Sequence, residues 1–478
     1  MSEASGCALQ ADRSLRMPTS RRPFAADARR IAKLAWPVLV GQIAVLAFST
    51  VDTVLVARHA AVDLAALAIG AAAYITIFIG LMGVVLAIGP IAGQLHGGGR
   101  DDEAGHQLHQ AGWIAMALSV VGCSLLLFPQ PFLSLSHATP EVATKVHAYL
   151  AALAFALPPA LLFTAYRGFN VAVSRPKAVM LLQLGGLALK IPLSALLVSG
   201  ADWLPGGSAL PALGAPGCAV ATAVVMWLQW LAALQLLRRD PFYRRFGLRN
   251  AAQRRPHRGS LVAFLRLGLP MGSALLVEVT GFTFMAFFIA RIGTHAVAGH
   301  QIAANLIALL FMMPLSLSHA TSALVAQRIG AGDFGDARSV GWHGLQLGIV
   351  IAALLGGTVL VWRRSIAAAY TPDTAVVAAA VPLLGWVAAF HLADAAQALA
   401  AGVLRARRIT TLPLLVNVGA IWGVGLGGGY LLAFGHWRWA PPALHGAPGF
   451  WAASTIGLWV AAVCLGGLLT HATRGDRR

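Results

Sequence analysis

The sequence predicts an all-α integral membrane protein whose twelve transmembrane helices form two pseudo-symmetric bundles of six. Three observations lead to this fold class. Of the 478 residues, 58% are hydrophobic and only 11% are charged. Apolar runs of about 20 residues, each long enough to cross about 30 Å of hydrocarbon as a helix, recur along the whole chain. Finally, the two halves of the sequence align with each other.

The apolar runs define the number of helices. A helix pairs all its backbone groups within its own segment, as lipid requires, and the alternating segments of about ten residues typical of membrane barrels do not occur. The predicted helices cover residues 31–57, 65–92, 107–129, 145–170, 178–200, 215–237, 260–290, 296–320, 341–362, 377–404, 410–434 and 449–470.

The net charge of +18 is unevenly distributed. Arginine is concentrated before residue 31, between residues 238 and 258, in the turn Arg405–Arg408 and after Arg474. With twelve crossings, all these segments fall on one side of the membrane, which is the positive-inside pattern with both termini in the cytoplasm. This placement argues against nucleic-acid binding. Because the first thirty residues have no apolar core, we expect no cleavable signal peptide.

A shift of 233 positions aligns the halves without a gap over about seventy residues. It superposes Pro37 on Pro270, Gln94 on Gln327 and Gly97 on Gly330. We therefore predict an N-terminal six-helix lobe (31–237) and a C-terminal six-helix lobe (259–470). A basic cytoplasmic linker (238–258) joins them, and cytoplasmic tails (1–30 and 471–478) flank them. The matched segments Gln94–Ala104 and Gln327–Ala337 are predicted to be loops, in which glycine allows tight turns and close approach of helix ends.

Three of the seventeen acidic residues lie inside long apolar stretches: Asp52, Glu278 and Asp394. A carboxylate near the bilayer centre costs roughly 2.5–3.5 kcal/mol on insertion scales, so acids retained there indicate function. In an apolar chain this function is most often binding and release of a cation or proton. The sequence contains no nucleophile–base triad and no nucleotide-binding loop, so we predict a coupled transporter and no enzyme.

The two acids of the second half have different neighbours in the sequence. His391 and Gln397 lie three residues from Asp394 on either side, so all three share one helical face. Glu278 is flanked by apolar residues that desolvate it. Together, Glu278 and Asp394 are predicted to share a proton or to hold Na⁺ through oxygen ligands. Further oxygens are predicted from Gln301, Asn305 and Asn417. The alternative is that the acids only anchor helices.

Asp52 lies in a locally polar patch late in the first helix, and the sequence leaves open an interior ligand or a residue near the interface. Lys190 is the one lysine deep in an apolar helix. It either extends its amine to the interface or faces Asp52 as a buried pair. A paired lysine would neutralise Asp52 and compete with any cation there.

Six segments of the chain form a recognisable set: Val51-Asp52-Thr53, Gly268-Leu269-Pro270, Glu278-Val279-Thr280, Gly299-His300-Gln301-Ile302-Ala303, Gly330-Ala331-Gly332-Asp333 with Ala337-Arg338, and Ala393-Asp394-Ala395-Ala396-Gln397. In their order and spacing they resemble the multidrug and toxic compound extrusion (MATE) family. The resemblance covers roughly residues 30–470. A Glu on the seventh helix with an Asp on the tenth is similar to the NorM-like bacterial branch.

The resemblance implies antiport, in which Na⁺ or H⁺ enters while cationic, amphipathic drugs and dyes leave. It also implies that Glu278 and Asp394 form the cation site of the second lobe, and that Asp52 belongs to the cavity of the first. The family commonly has Asn at the position of Lys190. This departure shifts the predicted coupling site toward Glu278 and Asp394.

We therefore predict a multi-pass inner-membrane exporter of small organic cations from a bacterium. Its expected partners are these cations and membrane lipid, with no nucleic acid, no obligate protein partner and no cofactor besides the coupling ion. One alternative is a flippase for lipid-linked sugars or polyisoprenoids, which needs a cationic groove for phosphates; Lys190 and Arg167 are its candidates. The other is a membrane scaffold or sensor, which predicts no flux.

Overall fold

The computed structural model describes residues 23–130, 133, 139–200, 211–250, 254–435 and 441–475. Within them, 12 helices are long and apolar enough to cross a membrane, which confirms the predicted fold class. They are α1 (Phe24–Ala57), α2 (Ala61–Gly97), α3 (Asp101–Leu127), α4 (Pro140–Ala172), α5 (Pro176–Ser199), α6 (Ala215–Arg239), α7 (Arg258–Ala290), α8 (Thr294–Gly330), α9 (Phe334–Tyr370), α10 (Thr374–Ala406), α11 (Thr411–Ala433) and α12 (Ala447–Ala472).

The helices extend beyond the apolar runs because their polar ends are also helical. α1 begins at Phe24, so the end of the predicted tail 1–30 is part of this helix. Asp27 in its first turn is fully buried and hydrogen-bonds to Nδ1 of His343 on α9 at 2.7 Å. α12 likewise continues to Ala472. The rest of the two predicted tails, residues 1–22 and 476–478, lies outside the described residues.

The prediction that Gln94–Ala104 and Gln327–Ala337 are loops was wrong for both ends of each segment, since α3 already begins at Asp101 and α9 at Phe334. The last turns of α2 and α8 contain Gln94, Gly97, Gln327 and Gly330. The chain turns only afterwards, where Gly99 and Gly332 have φ angles of 72° and 76°, a left-handed conformation that favours glycine. Glutamine is a good helix former, and here each amide also has a partner in the opposite half of the chain.

Two helices are irregular. α2 is interrupted at Leu86 and Ala87, between two α-helical segments. In α11, Val418–Gly427 forms π-helical turns, a rare geometry that is frequent at functional sites. This π segment packs on α7, where Nε1 of Trp422 donates a hydrogen bond to the carbonyl oxygen of Val277 at 3.1 Å. The irregular part of α11 is therefore fixed against the residue that precedes Glu278.

We refer to α1–α6 as the N-lobe, to α7–α12 as the C-lobe, and to the end of the bundle where α6 ends and α7 begins as the linker end. Each lobe has its own apolar core, but the first helix of each also packs on the other lobe. Phe264 and Leu267 of α7 join the N-lobe core. Ile31 and Ala35 of α1 join a C-lobe core. This reciprocal packing holds the lobes together at the linker end.

Candidate functional site

Glu278 of α7 and Asp394 of α10 lie within electrostatic range of each other. Asp394 is 4% exposed, and Glu278 is half-buried. Phe282 follows Glu278 by one turn of α7, and Phe390 precedes Asp394 by one turn of α10. Their rings meet edge to face with centroids 5.7 Å apart. This aromatic contact fixes the spacing of the two helices. A buried and a half-buried carboxylate held in this way repel each other, so the pair favours a bound proton or cation.

Basic groups do not neutralise this acid pair directly. Among the described residues, neither Glu278 nor Asp394 has an ion-pair partner. Of the two acids, Glu278 alone lies within longer electrostatic range of Arg405. The charge of the acid pair is therefore not compensated by an ion pair within the described part of the chain.

The predicted polar neighbours of the pair divide into two groups. Gln397 is buried and donates a hydrogen bond from Nε2 to Oδ1 of Asn417 on α11 at 3.2 Å. Their amide oxygens are hard ligands of the kind that alkali and alkaline-earth cations prefer. By contrast, Gln301 and Asn305 lie on an exposed face of α8 and form no hydrogen bond with either acid among the described residues. The described residues contain no group of three or more His, Cys, Asp or Glu side chains arranged for a metal ion.

His391 is fully buried one turn before Asp394. Neither of its ring nitrogens has a hydrogen-bond partner within the described part of the chain. Buried polar atoms in proteins are almost always paired with protein or with water. The imidazole is therefore available to a water molecule or a moving proton beside the acid pair.

Asp52 and Lys190 form a buried ion pair in the N-lobe. Nζ of Lys190 lies 3.0 Å from Oδ1 of Asp52, and the lysine side chain is fully buried. The ammonium also donates to Oγ1 of Thr222 at 2.6 Å, and Oγ of Ser194 donates to Asp52 at 3.3 Å. Of the two alternatives for Lys190, the structure shows the buried pair. The N-lobe acid thus already has a positive partner.

Sequence reasoning missed two further buried acids, Asp27 and Asp63. Asp63 accepts from Nζ of Lys145 at 2.7 Å and from the backbone nitrogen of Ala215 at 2.9 Å. Both acids lie in the first turn of a helix, just outside the apolar runs. At such positions the sequence predicts a side chain exposed to solvent. Neighbouring helices pack against Asp27 and Asp63 and bury them. Their hydrogen-bond partners on those helices indicate a structural role for both acids.

Gln94 and Gln327 link the lobes at the linker end. Nε2 of Gln94 donates to the carbonyl oxygen of Ala406 at the end of α10, at 2.7 Å. Nε2 of Gln327 donates to the carbonyl oxygen of Ala172 at the end of α4, at 2.6 Å. The two glutamines are repeat-related, so the contact is made twice with the lobes exchanged. We call these two hydrogen bonds the glutamine latch.

Two glycines make the latch sterically possible. Gly97 lies against the backbone of Gln327, and Gly330 lies against the backbone of Gln94. A Cβ atom at either glycine would overlap that backbone, so only glycine permits this close approach. The linker end is therefore closed by direct contact between the backbones of α2 and α8.

We predict that the variant Gln94→Ala/Gln327→Ala shifts the protein toward a state that is open at the linker end. Each lost hydrogen bond contributes about 1 kcal/mol, so the ratio of open to closed molecules should rise by roughly thirtyfold. Spin labels introduced by Lys177→Cys and Phe334→Cys, with the native cysteines replaced, lie on opposite lobes at this end. Their distance distribution reports the opening.

The matched control is Gln229→Ala, because Nε2 of Gln229 donates to the carbonyl oxygen of Leu182 within the N-lobe, at 3.1 Å. This control should keep the parent distance distribution. A double latch variant whose label distances equal those of the parent would show that the latch does not hold the linker end closed.

Comparison with known proteins identifies the same architecture. The MatE family model matches residues 37–196 and 270–431, two segments that begin 233 positions apart, as the repeat does. The chain is 39% identical over 445 residues to a "Probable multidrug resistance protein NorM" of Aromatoleum aromaticum, covering 92% of this chain and 94% of that protein. It is 34% identical over 446 residues to the "Multidrug resistance protein NorM" of Vibrio cholerae, with coverage of 92% and 94%.

Solved structures show the same fold. The eukaryotic MATE transporter AtDTX14 matches with a TM-score of 0.81 at 20% identity, covering 95% of this chain and 99% of that one. An outward-facing multidrug resistance MATE family transporter of the MOP superfamily matches with a TM-score of 0.84 at 16% identity, covering 95% and 97%.

Proposed function

The chain belongs to the MATE family, and from this premise we propose that it exports cationic, amphipathic molecules in exchange for Na⁺ or H⁺ across a bacterial inner membrane. Its relatives from Aromatoleum aromaticum and Vibrio cholerae are named as multidrug resistance proteins, which supports multidrug efflux. The proposal that export is coupled to an ion rests on the acid pair Glu278 and Asp394, which has no ion-pair partner among the described residues.

Exchange follows if the coupling ion and the drug favour different states. A cation bound by Glu278 and Asp394 removes the repulsion between them and stabilises one arrangement of the C-lobe helices. A ligand can shift a conformational equilibrium only by its difference in affinity for the two states, and the effect is reciprocal. Cation binding therefore lowers the affinity for the drug, and drug binding lowers the affinity for the cation.

The positive-inside pattern predicts that the linker end faces the cytoplasm. On that orientation the glutamine latch closes the cytoplasmic side in the present conformation, and drug release occurs on the opposite side. The role of Asp52 in cation coupling stays a prediction. Because Asp52 is already paired with Lys190, its ion pair supports binding of the coupling ion in the C-lobe and not in the N-lobe.

Transport by purified protein in liposomes tests the proposal. Liposomes loaded with Na⁺ at equal pH, or with acid at equal Na⁺, should accumulate an external fluorescent organic cation as the coupling ion leaves. Only the true coupling ion should drive accumulation, and an ionophore that collapses its gradient should abolish it. Accumulation under neither gradient would refute antiport and favour the membrane scaffold or sensor.

A further inference from the structure

A second polar site lies between the lobes, away from the acid pair. A cavity of about 60 Å³ is lined by residues of α1, α2 and α4 from the N-lobe and α7, α8 and α10 from the C-lobe. Its basic residues are Arg167, His319 and Arg405, and its lining contains no Asp or Glu. Arg405 follows Asp394 along α10 by roughly 16 Å, so this cavity lies nearer to the linker end than the acid pair does.

The two arginines contact only neutral acceptors directly. Arg167 donates to Oε1 of Gln42 at 3.2 Å and to the sulfur of Met82 at 3.3 Å. Arg405 donates to Oγ of Ser318 at 3.2 Å. Among the described residues, neither guanidinium has an ion-pair partner. A guanidinium has more N–H groups than these contacts use, so several donors on each arginine are free to bind a ligand.

This arrangement is unusual for charge inside a helical bundle, where Arg167 and Arg405 are each half-buried. Charged side chains inside proteins are almost always paired, and two cations facing one cavity repel each other. His319 is close enough to interact electrostatically with both guanidinium groups. The planar fork of arginine matches the oxygens of a phosphate or carboxylate, which it binds through two parallel hydrogen bonds.

We propose that this cavity binds an oxyanion, a phosphate or carboxylate group, between Arg167 of the N-lobe and Arg405 of the C-lobe. His319 and the hydroxyl of Ser322, which also line the cavity, are positioned to complete its hydrogen bonding. The oxyanion is either a free anion or the headgroup of an anionic lipid. This site is distinct from the cation site, and the two are linked only by the longer-range electrostatic interaction between Arg405 and Glu278.

The position of the site gives the oxyanion an effect on conformation. Arg405 immediately precedes Ala406, the acceptor of Gln94, and Arg167 lies in the last turns of α4 before Ala172, the acceptor of Gln327. An anion held by both arginines bridges the lobes beside the glutamine latch. It therefore stabilises the present state, which is closed at the linker end and in which both arginines line one cavity.

Equilibrium binding of radiolabelled inorganic phosphate to the purified full chain in neutral detergent tests the proposal. Ionic strength is held constant with chloride. We expect saturable binding that is weakened about tenfold or more by Arg167→Gln and by Arg405→Gln, since each removes charge-assisted hydrogen bonds. Arg364→Gln, which replaces an exposed arginine of α9, should bind as the parent does.

Two further arms make the result decisive. Arg167→Lys and Arg405→Lys keep the charge and should retain weakened binding even if the glutamine variants fold poorly. In nanodiscs, phosphatidylglycerol that displaces phosphate identifies a lipid headgroup as the ligand, whereas undiminished phosphate binding identifies a free anion. Absence of binding in the parent in both settings, or binding that is the same in the parent and all arginine variants, overturns the oxyanion site. Neither result bears on transport driven by Glu278 and Asp394.

Discussion

Glu278→Gln and Asp394→Asn are each expected to reduce gradient-driven accumulation of an organic cation by roughly a hundredfold, to the level of protein-free liposomes. Each replacement is nearly isosteric and removes one negative charge from the buried pair. With only one carboxylate left, the two side chains no longer repel each other and attract a cation far less strongly, so the ion gradient loses its coupling to the conformational cycle.

Folding should be unaffected by these two substitutions. The contact between Phe282 and Phe390 that fixes the two helices is apolar, and an amide in place of a carboxylate lowers the desolvation cost. The expected signature is therefore normal yield and thermal unfolding with no coupled transport.

The measurement is dye uptake under the gradient that drives the parent protein, scaled to the amount of inserted protein. Glu141→Gln and Asp102→Asn are matched controls, because they make the same chemical changes at exposed positions, and both should transport as the parent does. Parent-like uptake by both Glu278→Gln and Asp394→Asn would move the coupling site elsewhere in the chain.

Lys190→Met is expected to destabilise the protein by about 3–5 kcal/mol, the usual effect of removing one partner from a buried ion pair. Lys190 is fully buried and Asp52 nearly so. The carboxylate would lose its closest positive charge and keep only the hydroxyl of Ser194. The double variant Asp52→Leu/Lys190→Met removes both charges and should recover most of the lost stability, because no unpaired charge is then buried.

Equilibrium unfolding in mixed micelles with increasing SDS measures these free energies, and the two single variants and the double variant form a cycle that isolates the pair. Lys177→Met is the control, since it makes the same change at an exposed position on the same helix and should alter stability by less than about 0.5 kcal/mol. If Lys190→Met unfolds like the parent, the pair does not hold α1 against α5.

The sequence determined the helices, the duplication and the three acids of the apolar stretches. Lipid leaves a continuous apolar run of about 20 residues no regular structure but the helix, so apolar length alone placed all twelve helices. The shift of 233 positions appeared again in the family matches. An acid in an apolar run is costly, and Asp52, Glu278 and Asp394 were therefore visible without any structure.

The tertiary structure alone decided which side chains meet. In the folded protein, Lys190 pairs with Asp52, and Arg167 and Arg405 line one cavity. Gln94 and Gln327 each donate a hydrogen bond to the backbone of the opposite lobe. Such contacts join residues up to 316 positions apart, as in the bond between Asp27 and His343. In a membrane, both the lipid and the protein interior are apolar, so hydrophobicity shows that a helix spans but not which face meets which neighbour. That choice follows from the packing of complementary surfaces, which exist only once the helices are assembled.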